Sequence, residues 1–182
     1  MEKFRIKKFK IMELYAMNTR GCIKDRGNIM KFIKQVLCEV SGNVYGINIE
    51  HVQAIEKNLE IVPVPNAMQL VEGIANLRGN VIPVFSLHQK FNAKIPENAA
   101  EITYIIVKID ELSIALHVDA VAEIVELPEE AFLQVPTIVD TDETSYIDSV
   151  IRVNNKLVLV LDVDGVLTEK EKEKVSKLIE EQ

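Results

Sequence analysis

The chain has no tryptophan, 5% aromatic residues and two cysteines in 182 positions. Each shortage excludes something. Cys22 and Cys38 carry no C-x-x-C spacing, and the N-terminus lacks the apolar core of about 7–15 residues that an export signal needs. Free thiols in a reducing, cytoplasmic setting are therefore expected. No apolar run approaches the roughly 18 residues of a membrane-spanning helix, so direct membrane insertion is not expected. A net charge of −7 argues against a nucleic-acid partner, which calls for a basic face. There is no P-loop, no G-x-G-x-x-G and no nucleophile elbow. His51, His88 and His117 lack metal-ligand spacing, and His117 lies in an apolar strand run as a barrel-face residue. No catalytic residue, metal or cofactor is assigned.

What remains is a chain built for strands. Hydrophobic residues make up 48% and charged residues 27%, with valine and isoleucine dominating the apolar set. The length allows one sizeable core or two small ones. Residues 1–28 hold eight Lys/Arg and three acids, a local charge of +5 against −12 for the remainder. Three readings fit this leader: a basic tail for anionic lipid or an acidic partner, a short added strand, or a disordered or mis-assigned segment with Met30 as the natural start. The last is preferred, because the first convincing strand begins at Met30.

Strands are expected at Phe32–Val40 and Val44–Ile49, followed by a strand or short turn at His51–Glu56. Ile61–Pro65 is extended, since each proline biases its predecessor away from helix. Asn66–Val71 is expected as one helical turn capped by Asn66. Ile74–Leu77 and Val81–Phe85 flank Arg78-Gly79, which reads as a tight hairpin turn because glycine reaches positive φ without steric cost. A polar connector runs near 91–101.

The second half repeats the first. Apolar beats at 47, 49, 52 and 55 match those at 116, 118, 121 and 124. Val64-Pro65 finds Val135-Pro136, and the hairpin Ile74–Leu87 finds Val150–Val163 with Asn154-Asn155 in place of Arg78-Gly79. Asparagine tolerates positive φ, so the turn chemistry survives and does not itself require an arginine. About four or five short strands used twice predict two similar small barrels. Thr168 and Glu171 form a capping-box pair opening a C-terminal helix over 168–182, with Val175, Leu178 and Ile179 as its apolar stripe.

One motif points elsewhere. Leu161-Asp162-Val163-Asp164 resembles the nucleophile motif of haloacid-dehalogenase-type phosphatases, in which the first aspartate attacks phosphorus and Mg²⁺ neutralises the phosphate. Only 20 residues follow Asp162, too few for the other strands that chemistry uses, and the repeat already explains the segment as a barrel-strand end. Asp119 and Glu123 are neighbouring carboxylates, but their repeat counterparts are Glu50 and Ala54, which gives a paired acid/base role little support.

From about Lys31 to Leu167 the chain resembles the CheW family of chemotaxis coupling proteins. The residues that carry the likeness are Tyr45–Ile49, Val52-Gln53, Ile61–Pro65, Val118–Val121, Leu157–Asp162 and above all Gly73–Val84, with Asn76-Leu77-Arg78-Gly79 at its centre. The resemblance implies an all-β fold of two intertwined five-stranded SH3-like barrels, spanning 29–167, and a non-enzymatic scaffold. Such a protein links methyl-accepting chemoreceptors to the histidine kinase CheA and is recruited to membrane-associated receptor arrays. The first barrel would pair with the CheA regulatory domain through an edge-type hydrophobic contact, and the groove between the barrels would receive the helical receptor tip. Carried over by position, the partner-binding surface is Val52, Gly73, Asn76, Leu77, Arg78, Gly79, Ala115, Val121 and Ile124. The sequence departs from the family pattern at Ala54, where a glutamate is common, and at Ser86-Leu87-His88, where Asp-Leu-Arg is common. Ala54 removes a carboxylate partner for Arg78, leaving Glu56 and Glu72 as substitutes. The alternative is a divergent CheW-like module that binds CheA but not receptors.

Overall fold

The computed structural model describes residues 22–25, 28–95, 102–136 and 144–180, with side chains from 31 onward except at 174 and 176–180. Thirteen strands are described: β1 (Cys22–Asp25), β2 (Asn28–Val40), β3 (Asn43–Asn48), β4 (Val52–Lys57), β5 (Ile61–Val62), β6 (Val71–Leu77), β7 (Asn80–Ser86), β8 (Thr103–Ile109), β9 (Leu112–Val118), β10 (Ala120–Pro128), β11 (Leu133–Gln134), β12 (Ile147–Val153) and β13 (Lys156–Leu161). A short helix α1 (Leu87–Lys90) follows β7, and α2 (Glu169–Glu180) closes the chain.

The strands form two sheets that are copies of one another. One runs β4-β8-β9-β7-β6-β5; the other runs β10-β2-β3-β13-β12-β11, with β1 added beside β2. Five long strands and a two-residue strand build each sheet. The repeat holds to the level of register. Val71↔Phe85 and Gly73↔Val84 in one hairpin correspond to Ile147↔Leu161 and Ser149↔Val160 in the other, and each has a bulge after its first pair, at Glu72 and at Asp148. The parallel contacts correspond too: Val84↔Ala115 and Val160↔Gly46. The third strand of each repeat does not stay with its own first two. β2 and β3 lie in one sheet while β4 crosses to the other, and β9 hands the chain to β10 across the same seam. The intertwined arrangement is thus an exchange of third strands.

Burial follows this plan. Ala75, Ile82, Val84, Tyr104, Ile106 and Ala115 fill one barrel; Leu37, Ile151, Val158 and Val160 fill the other. The largest cluster lies between them, joining Val36, Cys38 and Ile47 from one sheet to Phe85, Ile105, Leu116 and Val118 from the other. At about 1.5–3 kcal/mol per fully buried aliphatic or aromatic side chain, this seam is the main cohesive term. Cys38 is fully buried there, and burial pushes its thiol pKa up to about 12. Val175 of α2 also enters the seam, and the capping box forms as expected, with Thr168 N donating to Glu171 Oε2 at 2.7 Å and Glu171 N to Thr168 Oγ1 at 3.3 Å. The side chains of Leu178 and Ile179 lie outside the described residues.

Three local expectations need correction. Asn66–Val71 is not a helical turn. Asn66 sits at φ 58° and two tight turns follow one another, closed by Ala67 N→Val64 O and Val71 N→Met68 O. An asparagine after two closely spaced prolines takes the left-handed turn position more readily than a helix cap. Ser86-Leu87-His88 does not simply end a strand: Ser86 caps the added helix α1, its hydroxyl accepting from Gln89 N. Of the leader, β1 pairs in antiparallel register with the start of β2, beginning at Cys22↔Lys31, and residues 1–21 lie outside the described residues.

Candidate functional site

The β6–β7 turn is a two-residue hairpin closed by the pair Leu77↔Asn80. Both central residues have positive φ, 55° at Arg78 and 93° at Gly79. Asn76 Oδ1 accepts from Gly79 N at 2.8 Å and fixes the turn from below. The twin turn between β12 and β13 has the same shape, with Asn154 at 49° and Asn155 at 61°. Asparagine is the ordinary occupant of such a position, whereas a long side chain there costs about 1–2 kcal/mol against its preferred backbone. Arg78 is thus held at a tip where turn geometry gives it no reason to be.

Its guanidinium is lightly tethered. Arg78 Nη2 donates to Glu56 Oε1 at 3.3 Å, reaching from the hairpin tip to β4 on the far edge of the sheet, and the arginine side chain remains 79% exposed. Glu56 therefore takes the place of the carboxylate missing at Ala54. Glu72, the other candidate, is engaged elsewhere: it accepts from His117 Nδ1 at 2.8 Å. Burial raises the Glu72 pKa, but the His117 hydrogen bond and charge, the Ser86 hydroxyl and His88 outweigh it, so the carboxyl stays below its usual range.

The other residues of the expected partner surface divide by burial. Asn76, Arg78 and Gly79 are exposed, and Leu77 is half-buried beside them. Val121 and Ile124 are half-buried on β10, packed against the seam. Val52, Gly73 and Ala115 are buried. Ala115 fills a barrel interior, and Gly73 has no room for a side chain, since a Cβ there would run into the Val62 carbonyl and Ile61 Cγ2. These three therefore present almost no surface to a partner.

A second polar group was hidden from sequence reasoning. His88 is fully buried and donates through Nε2 to Asp119 Oδ1 at 2.8 Å, while Asp119 Oδ2 accepts from Ser41 N at 2.6 Å. Asp119 is therefore a junction residue, and Glu123, the other carboxylate of the sequence pair, is exposed on half-buried β10. Asp162 caps a turn, accepting from Asp164 N at 3.1 Å. Among the described residues no group of three or more His, Cys, Asp or Glu is arranged to hold a metal, and no helix is long and apolar enough to cross a membrane.

The chain is thus two interlocked SH3-like barrels with a solvent-facing arginine at one hairpin tip. Residues 34–171 match the CheW-like domain family, and the chain belongs to it. It is 28% identical over 147 residues to the chemotaxis protein CheW of Treponema pallidum, covering 79% of this chain and 86% of that one. It is also 28% identical over 134 residues to CheW of Bacillus subtilis, covering 74% and 86%. The crystal structure of the scaffolding protein TtCheW from Thermoanaerobacter tengcongensis superposes with a TM-score of 0.71 at 26% identity, covering 78% of this chain and 97% of that one.

Proposed function

We infer that this chain is a coupling adaptor of chemotaxis signalling that works by contact and not by chemistry on a substrate. Its partners are the regulatory domain of the histidine kinase CheA and the cytoplasmic signalling tip of methyl-accepting receptors, which would recruit it to receptor arrays. The observation that carries this reading is Arg78: a long cation kept in a left-handed turn position, 79% exposed, where the pseudo-equivalent turn uses asparagine. Backbone strain at an exposed tip is retained where the side chain has a job outside the fold. Arginine suits an interface because its planar fork serves several acceptors at once. Val121 and Ile124, half-buried on β10, supply aliphatic wall of the kind that receives an amphipathic helix.

The alternative is a divergent module that binds CheA but not receptors, and the departures from the family pattern are Ala54 and Ser86-Leu87-His88. Glu56 gives Arg78 a carboxylate partner in spite of Ala54, which removes one of these departures as a ground for the alternative. A pull-down with purified CheA regulatory domain and receptor signalling tip tests the reading. Capture of both is expected; capture of CheA alone would move the chain to the alternative, and capture of neither would overturn the adaptor role while leaving the fold untouched.

A further inference from the structure

The two barrels agree in register and differ in the chemistry at one joint. His117 on β9 and His88 on α1 pack ring against ring, with centroids 5.0 Å apart. Each imidazole has its own carboxylate: His117 Nδ1 donates to Glu72 Oε1 and His88 Nε2 to Asp119 Oδ1, both at 2.8 Å. Four groups, Glu72, His117, His88 and Asp119, thus run in a chain from the bulge of β6 to the residue before β10. The twin barrel builds the same strands without them. Asn48 stands where His117 stands and, in the same register, Asp164 where His88 stands. An imidazole pair is therefore not something the barrel needs in order to form.

Burial makes the charge on this pair matter. His88 is 0% exposed and His117 5%. With Nε2 donating to Asp119, the other ring nitrogen of His88, Nδ1, is buried with no hydrogen-bond partner among the described residues. A neutral ring leaves a lone pair there. A cationic ring adds a buried charge and puts an N–H there with no acceptor. Of the surrounding groups, Asp119 favours the cation, but its Oδ2 already accepts from Ser41 N at 2.6 Å. Glu72 is within reach of the charge of both imidazoles, yet its hydrogen bonds go to His117 and Ser86. On β2, Glu39 meets Asp119 through its backbone oxygen, and the Cys38 thiol, pushed up to about 12 by burial, carries no charge near neutral pH. Burial also keeps the Tyr104 hydroxyl on β8 protonated, and Lys90 on α1 pairs with Glu171 and the Tyr146 ring. One proton on the pair therefore has Glu72 bonded to it through His117, whereas a second sets two like charges about one ring apart in a buried site.

We propose that His88 and His117 form a pH-sensitive latch that holds α1 against the crossing where β10 begins, closed while the pair carries at most one proton and loosened by the second. The latch joins β6, which leads to the Arg78 hairpin, to the start of β10, which carries Val121 and Ile124. A ring kept neutral in the fold and charged in the unfolded chain contributes stability above the ordinary histidine range, and that contribution is lost as pH falls through it.

The test follows the imidazoles of the intact ¹³C,¹⁵N-labelled chain by NMR from about pH 8 to about pH 5, with urea midpoints over the same range. Two separate proton steps are expected, His117 before His88, and near neutral pH the His88 ring should be neutral with its proton on Nε2. The second step should move the amide signals of Ser41 and Val121. The unfolding equilibrium constant should rise about five- to tenfold between about pH 7 and pH 5.5, because an unfolded imidazole takes its proton at about 6.5. That window lies above the carboxyl range, so Glu72 does not produce it. His88→Gln keeps an N–H for Asp119 and cannot charge, so the rise and the shifts at Ser41 and Val121 should disappear. His117→Gln removes the first charge, so His88 should take its proton at higher pH. A cationic His88 at neutral pH, simultaneous charging of both rings, or an undiminished rise in His88→Gln would overturn the proposal. If His88→Gln does not fold, the ring titrations of the wild type and His117→Gln decide.

Discussion

Replacing Arg78 by asparagine copies the twin turn at Asn154 and separates fold from function. The stability change has two opposing parts. Losing the single 3.3 Å contact to Glu56 removes an ion pair whose arginine is 79% exposed, worth about 0–1 kcal/mol. Asparagine at φ 55° relieves about 1 kcal/mol of backbone cost. The sum is close to zero, so the melting temperature should stay within about 3 °C for a chain of this size. If Arg78 anchors the partner, truncation costs about 2 kcal/mol of binding, or roughly thirtyfold in Kd. Thermal melts by circular dichroism and calorimetric titration against the receptor tip and the CheA regulatory domain read the two quantities. Glu56→Gln is the control: it frees the guanidinium without removing it and should leave affinity within about threefold. An unchanged Kd in Arg78→Asn would refute the anchor, and a large fall in melting temperature with unchanged Kd would make the arginine structural.

Other consequences follow from the same geometry. Gly73→Ala drives a methyl into the Val62 carbonyl and Ile61 Cγ2, so it should cost about 2–4 kcal/mol in urea denaturation or displace β5 from the sheet. Glu72 is held below its usual pKa range, so its contribution to stability is full above the unfolded carboxyl pKa and is lost as pH falls through the lower folded value. Glu72→Gln should flatten that acidic limb in denaturation midpoints measured across pH; an unaltered limb would place the acid sensitivity elsewhere.

The repeat was legible because period-two alternation and turn chemistry are local. Ile47 and Leu116, or Arg78-Gly79 and Asn154-Asn155, declare their equivalence in the string itself, and the paired bulges at Glu72 and Asp148 bear it out in three dimensions. The exchange of β4 and β10 was implied by family likeness alone, because nothing in Val52–Lys57 says which sheet it will join. That choice rests on burial against partners far away in sequence. The arginine's partner was undecidable for a similar reason. Glu56 and Glu72 are both close in sequence, but Glu72 lies on a bulge that turns it toward His117, and a bulge is set by cross-strand pairing. The histidine pairs were missed because His88 and Asp119 meet only through the parallel pairing of β7 with β9, strands far apart in sequence. The one available signal was that Ser86-Leu87-His88 breaks the family's Asp-Leu-Arg, which marked the position without naming its contact.

Asp119 stands where the chain leaves one sheet for the other, and it tests whether the barrels are one cooperative body. Its Oδ2 accepts from Ser41 N, in the β2–β3 turn, at 2.6 Å; its Oδ1 accepts from buried His88 on α1 at 2.8 Å; its own N donates to Glu39 O at 2.9 Å. One carboxylate therefore ties elements of both sheets, with 16% of its side chain exposed. Asp119→Ala strands the Ser41 and His88 donors and should cost about 2–4 kcal/mol, while Asp119→Asn, which keeps one acceptor, should cost about half as much. Because β4 and β10 are exchanged between sheets, neither barrel can open alone without losing a strand to the other. Amide signals of Ile106 in one sheet and Leu37 in the other should therefore vanish at the same urea concentration, in the wild type and at the lower midpoint of the variant. Separate midpoints for the two sheets would show that strand exchange joins the barrels without coupling them, and the seam would then be an interface between independent folding units.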